Sequence, residues 1–160
     1  MKKTSFFAIA LALLCALSSC MMQEYDNDFY FRAGGIDIAP GMKSDDALGY
    51  LGDARSVRSS PSCAFAGEEK IYSYPGYDIY TLCEGGKEVI EKLVLKSDAV
   101  STERGVRIGD TMRDVVKAYG RDYDRKGENI EYEGERCDLQ FFFEDGIVTA
   151  IIYLAHDSKK

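Results

Sequence analysis

The clearest pattern of apolar positions lies between Gly105 and Gly120, where hydrophobic residues recur at intervals of three and four. That period is typical of an amphipathic helix with one buried side. The pattern therefore predicts a helix of roughly two to three turns. A helix this short is marginal alone in water, so another part of the chain must cover its apolar side. The apolar positions are Met112, Val115, Val116 and Tyr119.

Both ends of this helix carry signals of their own. The hydroxyl of Thr111 can cap the first turn, and Asp114 supplies the acidic half of a capping box. Gly120 suits the left-handed residue with which many helices end. We therefore interpret the segment, including Asp110 of its IGDT sequence, as a structural connection between sheet and helix rather than a ligand loop.

A weaker copy of the same segment runs from Gly35 to Gly52 and predicts a second helix from about Ser44 to Leu51. Gly49 lies inside this helix and costs about 1 kcal/mol relative to alanine, so the helix should be short. Before it, two apolar segments, 29–31 and 36–38, flank a Gly-Gly pair. That arrangement predicts a β-hairpin.

Alternating apolar and β-branched residues predict two sets of three strands in the rest of the chain. Short turns join the strands of each set, so each set should form an antiparallel meander. The segment from Arg55 to Ser62 is rich in serine and arginine and is predicted as a loop. The predicted strands are Lys70 to Tyr74, Tyr77 to Glu84, Val89 to Lys96, Asn129 to Tyr132, Asp138 to Glu144 and Ile147 to Leu154.

The same order of a glycine-flanked segment, a helix and three strands thus occurs twice, as in an internal duplication. We predict an α+β fold of two tandem repeats, each a short helix (or helix pair) packed on a three- to four-stranded antiparallel meander sheet. Repeat 1 covers residues 29–97 and repeat 2 covers residues 98–160. Neither repeat has enough core to fold securely alone, so the two should form one compact domain.

Aromatic side chains on the predicted sheets indicate a binding surface. Strict alternation along the last strand places Ile152 and Leu154 on one side and Ile151 and Tyr153 on the other. Tyrosines left on an open sheet face would provide rigid contact area with a polar tip. The alternative is that these side chains pack against a helix or the other repeat, which suits Ile151 better. The candidate binding residues are Tyr72, Tyr74, Tyr80 and Phe142.

The N-terminus has the pattern of a secretory signal. Lys2 and Lys3 precede an uninterrupted apolar run from Phe6 to Leu17, and small residues follow. The run is too short for a transmembrane helix, which needs about 20 apolar residues. Residues 1–19 are therefore predicted to be a signal peptide, and residues 20–28 a tether. Residues 21–27 would hold the domain within roughly 15 Å of its attachment point.

The end of that signal, Leu17-Ser18-Ser19-Cys20, resembles the lipobox of bacterial lipoproteins. The resemblance implies that Cys20 carries a diacylglyceryl group with fatty acids such as palmitate, and that cleavage makes it the first mature residue. Two acyl chains hold a protein durably to a bilayer. The expected location is the extracytoplasmic face of the cell membrane, or the outer membrane in a Gram-negative host. The alternative is an ordinary secreted protein.

The net charge of the mature chain narrows the possible partners. Removing residues 1–19 lowers Lys+Arg from 20 to 18 against 27 acids, a net charge of about −9. Such a charge repels nucleic acid, so nucleic-acid binding is excluded, whereas a cationic partner remains possible.

Cys63, Cys83 and Cys137 allow one disulfide in three alternative pairings or three buried thiols.

Residues for catalysis are scarce in this sequence. His156 is the one histidine, near the end of the chain. The cysteine spacings do not suit structural zinc. Asp122, Asp124 and Glu133 partly match a calcium-loop template, but Lys126 would put a cation among the ligands. We therefore predict no catalytic residues, no metal and no cofactor.

The order of hairpin, helix and strands, with the motif IGDTMRDVVKAYG, resembles the tandem β-lactamase-inhibitor-protein-like fold. In half-length form this fold is shared by the SmpA/OmlA (BamE-type) lipoproteins. Segments 62–76 and 102–109 also resemble uncharacterised lipoproteins of gut Clostridia. The resemblance covers about residues 29–155. No contact residue of those families can be matched to a position in this sequence.

Together these features predict a non-catalytic binding module, anchored outside the membrane, for a cell-envelope protein or cell-wall partner. The fold resemblance implies an alternative, a secreted-type inhibitor of a β-lactamase or protease. An inhibition assay against such enzymes distinguishes the two.

We expect the chain to incorporate a clickable fatty acid in a bacterial host, because Cys20 would be acylated. Gel fluorescence of the labelled protein measures this. A Cys20→Ser variant should lose the signal, whereas Cys15→Ser should keep it. Equal labelling of the wild type and Cys20→Ser would contradict lipidation at this position.

Overall fold

The computed structural model describes residues 28–61 and 67–156, so Cys20 and Cys63 lie outside the described residues. The described chain contains ten strands and two short helices. The helices are α1 (Ser44–Leu51) and α2 (Met112–Tyr119). The strands are β1 (Phe31–Ala33), β2 (Ile36–Ile38), β3 (Ser56–Pro61), β4 (Glu68–Tyr74), β5 (Tyr77–Glu84), β6 (Lys87–Leu95), β7 (Asp124–Lys126), β8 (Asn129–Tyr132), β9 (Cys137–Glu144) and β10 (Ile147–Ala155).

Eight of these strands form one continuous antiparallel sheet in the order β3-β4-β5-β6-β10-β9-β8-β7, while β1 and β2 form a separate hairpin. The two halves of the chain meet where β6 pairs with β10. In that pairing Leu95 lies opposite Ile151, and Leu93 lies opposite Tyr153. All four side chains are fully buried. The junction between the halves is therefore the centre of the core.

The predicted α+β fold of two tandem repeats, each with its own three- to four-stranded sheet, is wrong. The structure is mostly β, with a single eight-stranded sheet and only two short helices in the described residues. A meander that ended at β6 or β10 would expose an apolar edge with unpaired backbone groups. Pairing these two strands satisfies the backbone and buries the apolar side chains at the same time.

Most individual elements lie where the hydrophobic pattern predicts them, including both helices, the hairpin and all six predicted strands. The segment from Arg55 to Ser62 is the exception, because residues 56–61 form β3 rather than a loop. This strand lies at the edge of the sheet and is exposed along its whole length. An edge strand exposed on both faces buries no apolar side chain, so its sequence lacks the alternation typical of a strand.

Two β-bulges change which side chains face the core. One lies between Val148 and Ala150 of β10, and a second shifts the register between β5 and β6 after Tyr80. The extra residue in β10 reverses the strict alternation that the sequence suggests. Ile151 and Tyr153 are fully buried as a result.

The segments before the two helices are held to the sheet by the backbone. The Gly41 N–H donates to the Ile90 carbonyl at 2.7 Å, and the Gly109 N–H donates to the Val148 carbonyl at 2.9 Å. The Asp110 side chain accepts from the Arg107 N–H at 2.8 Å. The IGDT sequence therefore has a structural role between the sheet and α2.

The predicted caps of α2 are present. The Thr111 hydroxyl accepts from the Asp114 N–H at 3.3 Å, and the Asp114 carboxylate accepts from the Thr111 N–H at 3.1 Å. Gly120 ends the helix with a φ of 89°. The reciprocal cap satisfies two backbone donors that the first turn would otherwise leave free.

Cys83 and Cys137 are both free thiols. The Cys137 thiol is buried and donates to the Phe29 carbonyl at 3.2 Å. Burial raises the pKa of this thiol to about 12, so it stays protonated at neutral pH. Cys137 therefore acts as a core residue that holds the start of the domain against β9.

A buried carboxylate connects α2 to the sheet. Glu103 accepts a hydrogen bond from the Tyr119 hydroxyl at 2.9 Å and another from the Tyr153 hydroxyl at 3.0 Å. The Arg104 guanidinium stacks over the Tyr119 ring, 4.7 Å from its centroid. Burial raises the pKa of Glu103 above its ordinary value, although both hydroxyls act in the opposite direction. The carboxylate therefore accepts hydrogen bonds from tyrosines of both α2 and β10.

We expect Glu103 to make the protein less stable as the pH rises. Because its folded-state pKa is raised, the native state binds this proton more tightly than the unfolded chain. Its contribution to the free energy of unfolding is present below about pH 4.5 and decreases as the pH rises through the folded pKa.

Urea unfolding of the wild type and Glu103→Gln across the acidic range measures this effect. The free energy of unfolding of the wild type minus that of the variant should decrease with pH. The exposed Glu135→Gln serves as a control for the loss of one carboxylate. A difference that rises with pH would contradict a raised pKa for Glu103.

Candidate functional site

The eight-stranded sheet has one covered face and one open face. Phe31 of the hairpin packs on Tyr77 of β5, with ring centroids 4.7 Å apart, and Tyr119 of α2 packs on Phe141 of β9 at 5.3 Å. Ala47 of α1 is buried in the same cluster. The hairpin and both helices therefore cover a single face. No element of the described residues covers the opposite side, which we call the open face.

Alternation along the central strands shows the difference between the two faces. Leu93 and Leu95 of β6 are fully buried, whereas Val94 between them is half-buried. The same holds for Tyr153 of β10 and its neighbour Ile152. The half-buried side chains therefore belong to the open face.

The open face is apolar at its centre. The strand register places Val94 directly opposite Ile152, and Tyr80, Lys92 and Leu154 in the next row. The Lys92 ammonium lies 4.2 Å from the centroid of the Tyr80 ring. Its charge therefore rests on an aromatic surface. The half-buried apolar residues of this face are Ile71, Tyr80, Leu82, Val89, Val94, Phe142, Ala150, Ile152 and Leu154.

Charged residues of the open face lie among and beside its apolar positions, because Lys92 and Asp138 both pair with Leu154. The Lys96 ammonium binds Asp78 at 2.7 Å, and Asp78 is 4% exposed. The Lys126 ammonium binds the buried Glu131 of β8 at 2.7 Å. In the row that contains Val94 and Ile152, this apolar pair therefore lies between two ion pairs.

Of the four aromatic residues predicted to bind a partner, two lie on the open face and two do not. Tyr80 and Phe142 lie on the open face, as the hypothesis requires. Tyr74 lies in the core instead, because its ring stacks on Tyr77 with centroids 5.1 Å apart. Tyr72 lies on the covered side, where its hydroxyl donates to Glu88 at 2.9 Å and its pKa is raised to about 12 by burial.

The sequence pattern does not reveal Ile152 and Leu154 as surface residues. Unbroken alternation from Val148 onward predicts that both lie inside. Thr149 is the extra residue at the bulge in β10, and it shifts both side chains to the open face. No sequence signal distinguishes a bulged threonine from a regular one in an otherwise alternating strand.

Two adjoining cavities lie near the end of β8. The larger, of about 360 Å³, is called the acidic cleft and is lined by Asp122, Tyr123, Asp124, Glu131, Glu133, Gly134, Glu135 and His156. The smaller, of about 280 Å³, is lined by Phe29, Arg104, Tyr119, Gly120, Arg121, Asp122, Tyr132 and Glu133. In the acidic cleft the His156 imidazole lies 3.3 Å from the Glu133 carboxylate and 3.6 Å from that of Asp138.

The partial calcium template falls on the β7–β8 hairpin beside this cleft. Gly127 forms the hairpin turn, and residues 129–132 continue as a strand. A calcium-binding loop would be followed by a helix at this point. Among the described residues, no group of three or more histidine, cysteine or acidic side chains is arranged to hold a metal ion.

The helices of the described chain are also too short or too polar to span a membrane.

No protein-family model matches the chain, and no curated protein matches it. Among solved structures, it is similar to an extracellular protein containing an SCP domain from Bacillus anthracis, with a TM-score of 0.52 and 15% identity. That match covers 74% of this chain but only 44% of the other. The uncharacterised protein yfeY from Escherichia coli has a TM-score of 0.44 and 16% identity, over 72% of this chain and 90% of that one.

Identities this low indicate at most a shared fold, and a shared fold does not fix function. The resemblance to β-lactamase-inhibitor-protein-like and SmpA/OmlA lipoproteins stays a prediction. The chain is therefore similar in fold to part of an extracellular protein, and no activity follows from the comparisons.

Proposed function

We propose that this protein is a membrane-anchored extracytoplasmic lipoprotein whose domain is a non-catalytic binding module for an envelope protein or a cell-wall component. The anchor rests on the signal sequence and on Cys20. The binding role rests on one observation, the apolar centre of the open face.

An apolar surface at the middle of a sheet that no described element covers favours a binding role. Val94 and Ile152 lie on the two central strands, and the aromatic rings of Tyr80 and Phe142 lie on strands to either side. On the other face, residues at equivalent positions are fully buried beneath the hairpin and helices. Contiguous apolar surface of this kind often marks an interaction site in soluble domains.

The distribution of charge on the open face suggests the kind of partner. The apolar pair Val94 and Ile152 lies between the ion pair of Asp78 with Lys96 and that of Glu131 with Lys126. Protein interfaces commonly have an apolar core of this type within a polar rim. The partner is therefore expected to place an apolar group at the centre and polar groups around it.

We expect the double variant Tyr80→Ser, Phe142→Ser to lose its partner, because it removes the two aromatic side chains of the open face. If each contributes the roughly 1–2 kcal/mol typical of interface aromatics, recovery should fall by about tenfold or more. The measurement is quantitative mass spectrometry of proteins captured from native envelope, with sedimentation on purified peptidoglycan as a second arm.

A matched control is available on other surfaces. Tyr50 of α1 is 65% exposed and Val57 of β3 is 54% exposed, and neither lies on the open face. The variant Tyr50→Ser, Val57→Ser likewise replaces one tyrosine and one further apolar residue by serine, and it should retain the partner. Equal loss in both variants, or loss in neither, would contradict the assignment of the open face.

A further inference from the structure

The chain enters the domain at a fixed point. The Arg136 guanidinium binds the Asp28 carboxylate through two contacts, of 2.6 and 2.9 Å. The following Phe29 carbonyl accepts from the Cys137 thiol, and the buried Phe29 ring lies 5.9 Å from that of Tyr119. Any anchor attached through Asp28 must therefore pull on the end of the sheet where β9 begins.

The acidic cleft lies at that same end of the sheet. Cys137 at the start of β9 lies opposite Ala155 at the end of β10, and Tyr132 at the end of β8 lies opposite Leu139. Glu133 follows β8, Glu135 precedes β9 and His156 follows β10. All three line the acidic cleft. The entry point of the chain and the acidic cleft are therefore neighbours.

The opposite end of the sheet is far from the entry point. The β7–β8 turn at Glu128 lies there, since the Asn129 side chain accepts from the Phe143 N–H at 3.1 Å. Phe143 is six residues from Cys137 along β9, which corresponds to about 20 Å at roughly 3.4 Å per residue. From Cys20 to Asp28 the backbone can extend to at most about 29 Å. The average span of this tether, roughly 15 Å for residues 21–27, is shorter than the distance between the two ends of the sheet.

From this geometry we propose that the end of the sheet carrying the acidic cleft faces the bilayer, and that it fits a zwitterionic head-group layer but is repelled by anionic head groups. The proposal rests on the lipid anchor at Cys20 given in the proposed function. It adds an orientation of the domain and a preference among membrane surfaces.

Charge at this end supports the stated preference. Asp122, Asp124, Glu133 and Glu135 are all exposed. Lys126 and Arg136 already bind Glu131 and Asp28, and the exposed Arg121 beside Asp122 offsets only one of the four negative charges. Exposed carboxylates within a Debye length of an anionic leaflet are repelled by its surface potential. An anionic membrane should therefore hold the domain further away than a zwitterionic one.

The orientation can be tested with the full-length lipidated protein in vesicles. A fluorophore is placed at Glu135→Cys or at Glu128→Cys, each in a background with Cys63→Ser and Cys83→Ser. Both substitutions remove one exposed glutamate, so they are matched in charge. In phosphatidylcholine vesicles containing a head-group nitroxide lipid, quenching at position 135 should be several-fold stronger than at position 128.

The preference for head groups is tested by adding phosphatidylglycerol to the same vesicles. Quenching at position 135 should fall, and high salt should restore it. The variant Asp122→Asn, Glu133→Gln should keep its quenching with phosphatidylglycerol. The control Glu144→Gln, Asp145→Asn changes the same number of charges at the distal end and should behave like the parent protein.

Co-flotation with the vesicles separates this proposal from the proposed function. A protein that floats but shows equal quenching at both positions, or stronger quenching at position 128, overturns the orientation alone. Quenching at position 135 that is unchanged by phosphatidylglycerol overturns the charge preference. A wild-type protein that fails to float, like Cys20→Ser, overturns the anchor and this proposal with it.

Discussion

The pairing of β6 with β10 is the interaction on which the rest of the structure depends. It joins two four-stranded meanders into one sheet. It also removes the free edge that each would otherwise present. Leu93 and Leu95 from one half are buried against Ile151 and Tyr153 from the other. The hairpin, α1 and α2 then pack on a single continuous surface, so loss of this pairing would expose the centre of the core rather than its margin.

Sequence patterns predict the parts of this fold that local interactions decide. The capping residues Thr111 and Asp114 and the terminal Gly120 mark α2 without reference to the rest of the chain. The six main strands follow from alternation and turn residues. The eight-stranded sheet does not follow, because pairing between β6 and β10 joins residues that are far apart in sequence. Short-range periodicity contains no information about which distant edge a strand will meet.

The candidate site is predictable only in part for a related reason. Tyr80 and Phe142 lie on the open face, but Tyr74 is in the core and Tyr72 on the covered side. All four are predicted to bind because they are aromatic. The face of the sheet on which each side chain lies depends instead on strand register and on bulges. The bulge at Thr149 decides that Ile152, rather than Ile151, reaches the surface. The resulting open face, with Val94 and Ile152 between two ion pairs, supports a binding role more directly than the tyrosines alone.

The central claim is that the two halves join through β6 and β10, with Val94 and Ile152 side by side on the open face. Directly opposed residues have Cβ atoms about 4.5–5.5 Å apart, close enough for a disulfide after small adjustments. Electrophoretic mobility after mild oxidation of Val94→Cys, Ile152→Cys tests the junction. We predict that this pair forms a disulfide in the monomer and that Val94→Cys, Phe142→Cys, on strands that are not adjacent, does not. No disulfide in the first pair, or equal formation in both, would contradict the junction.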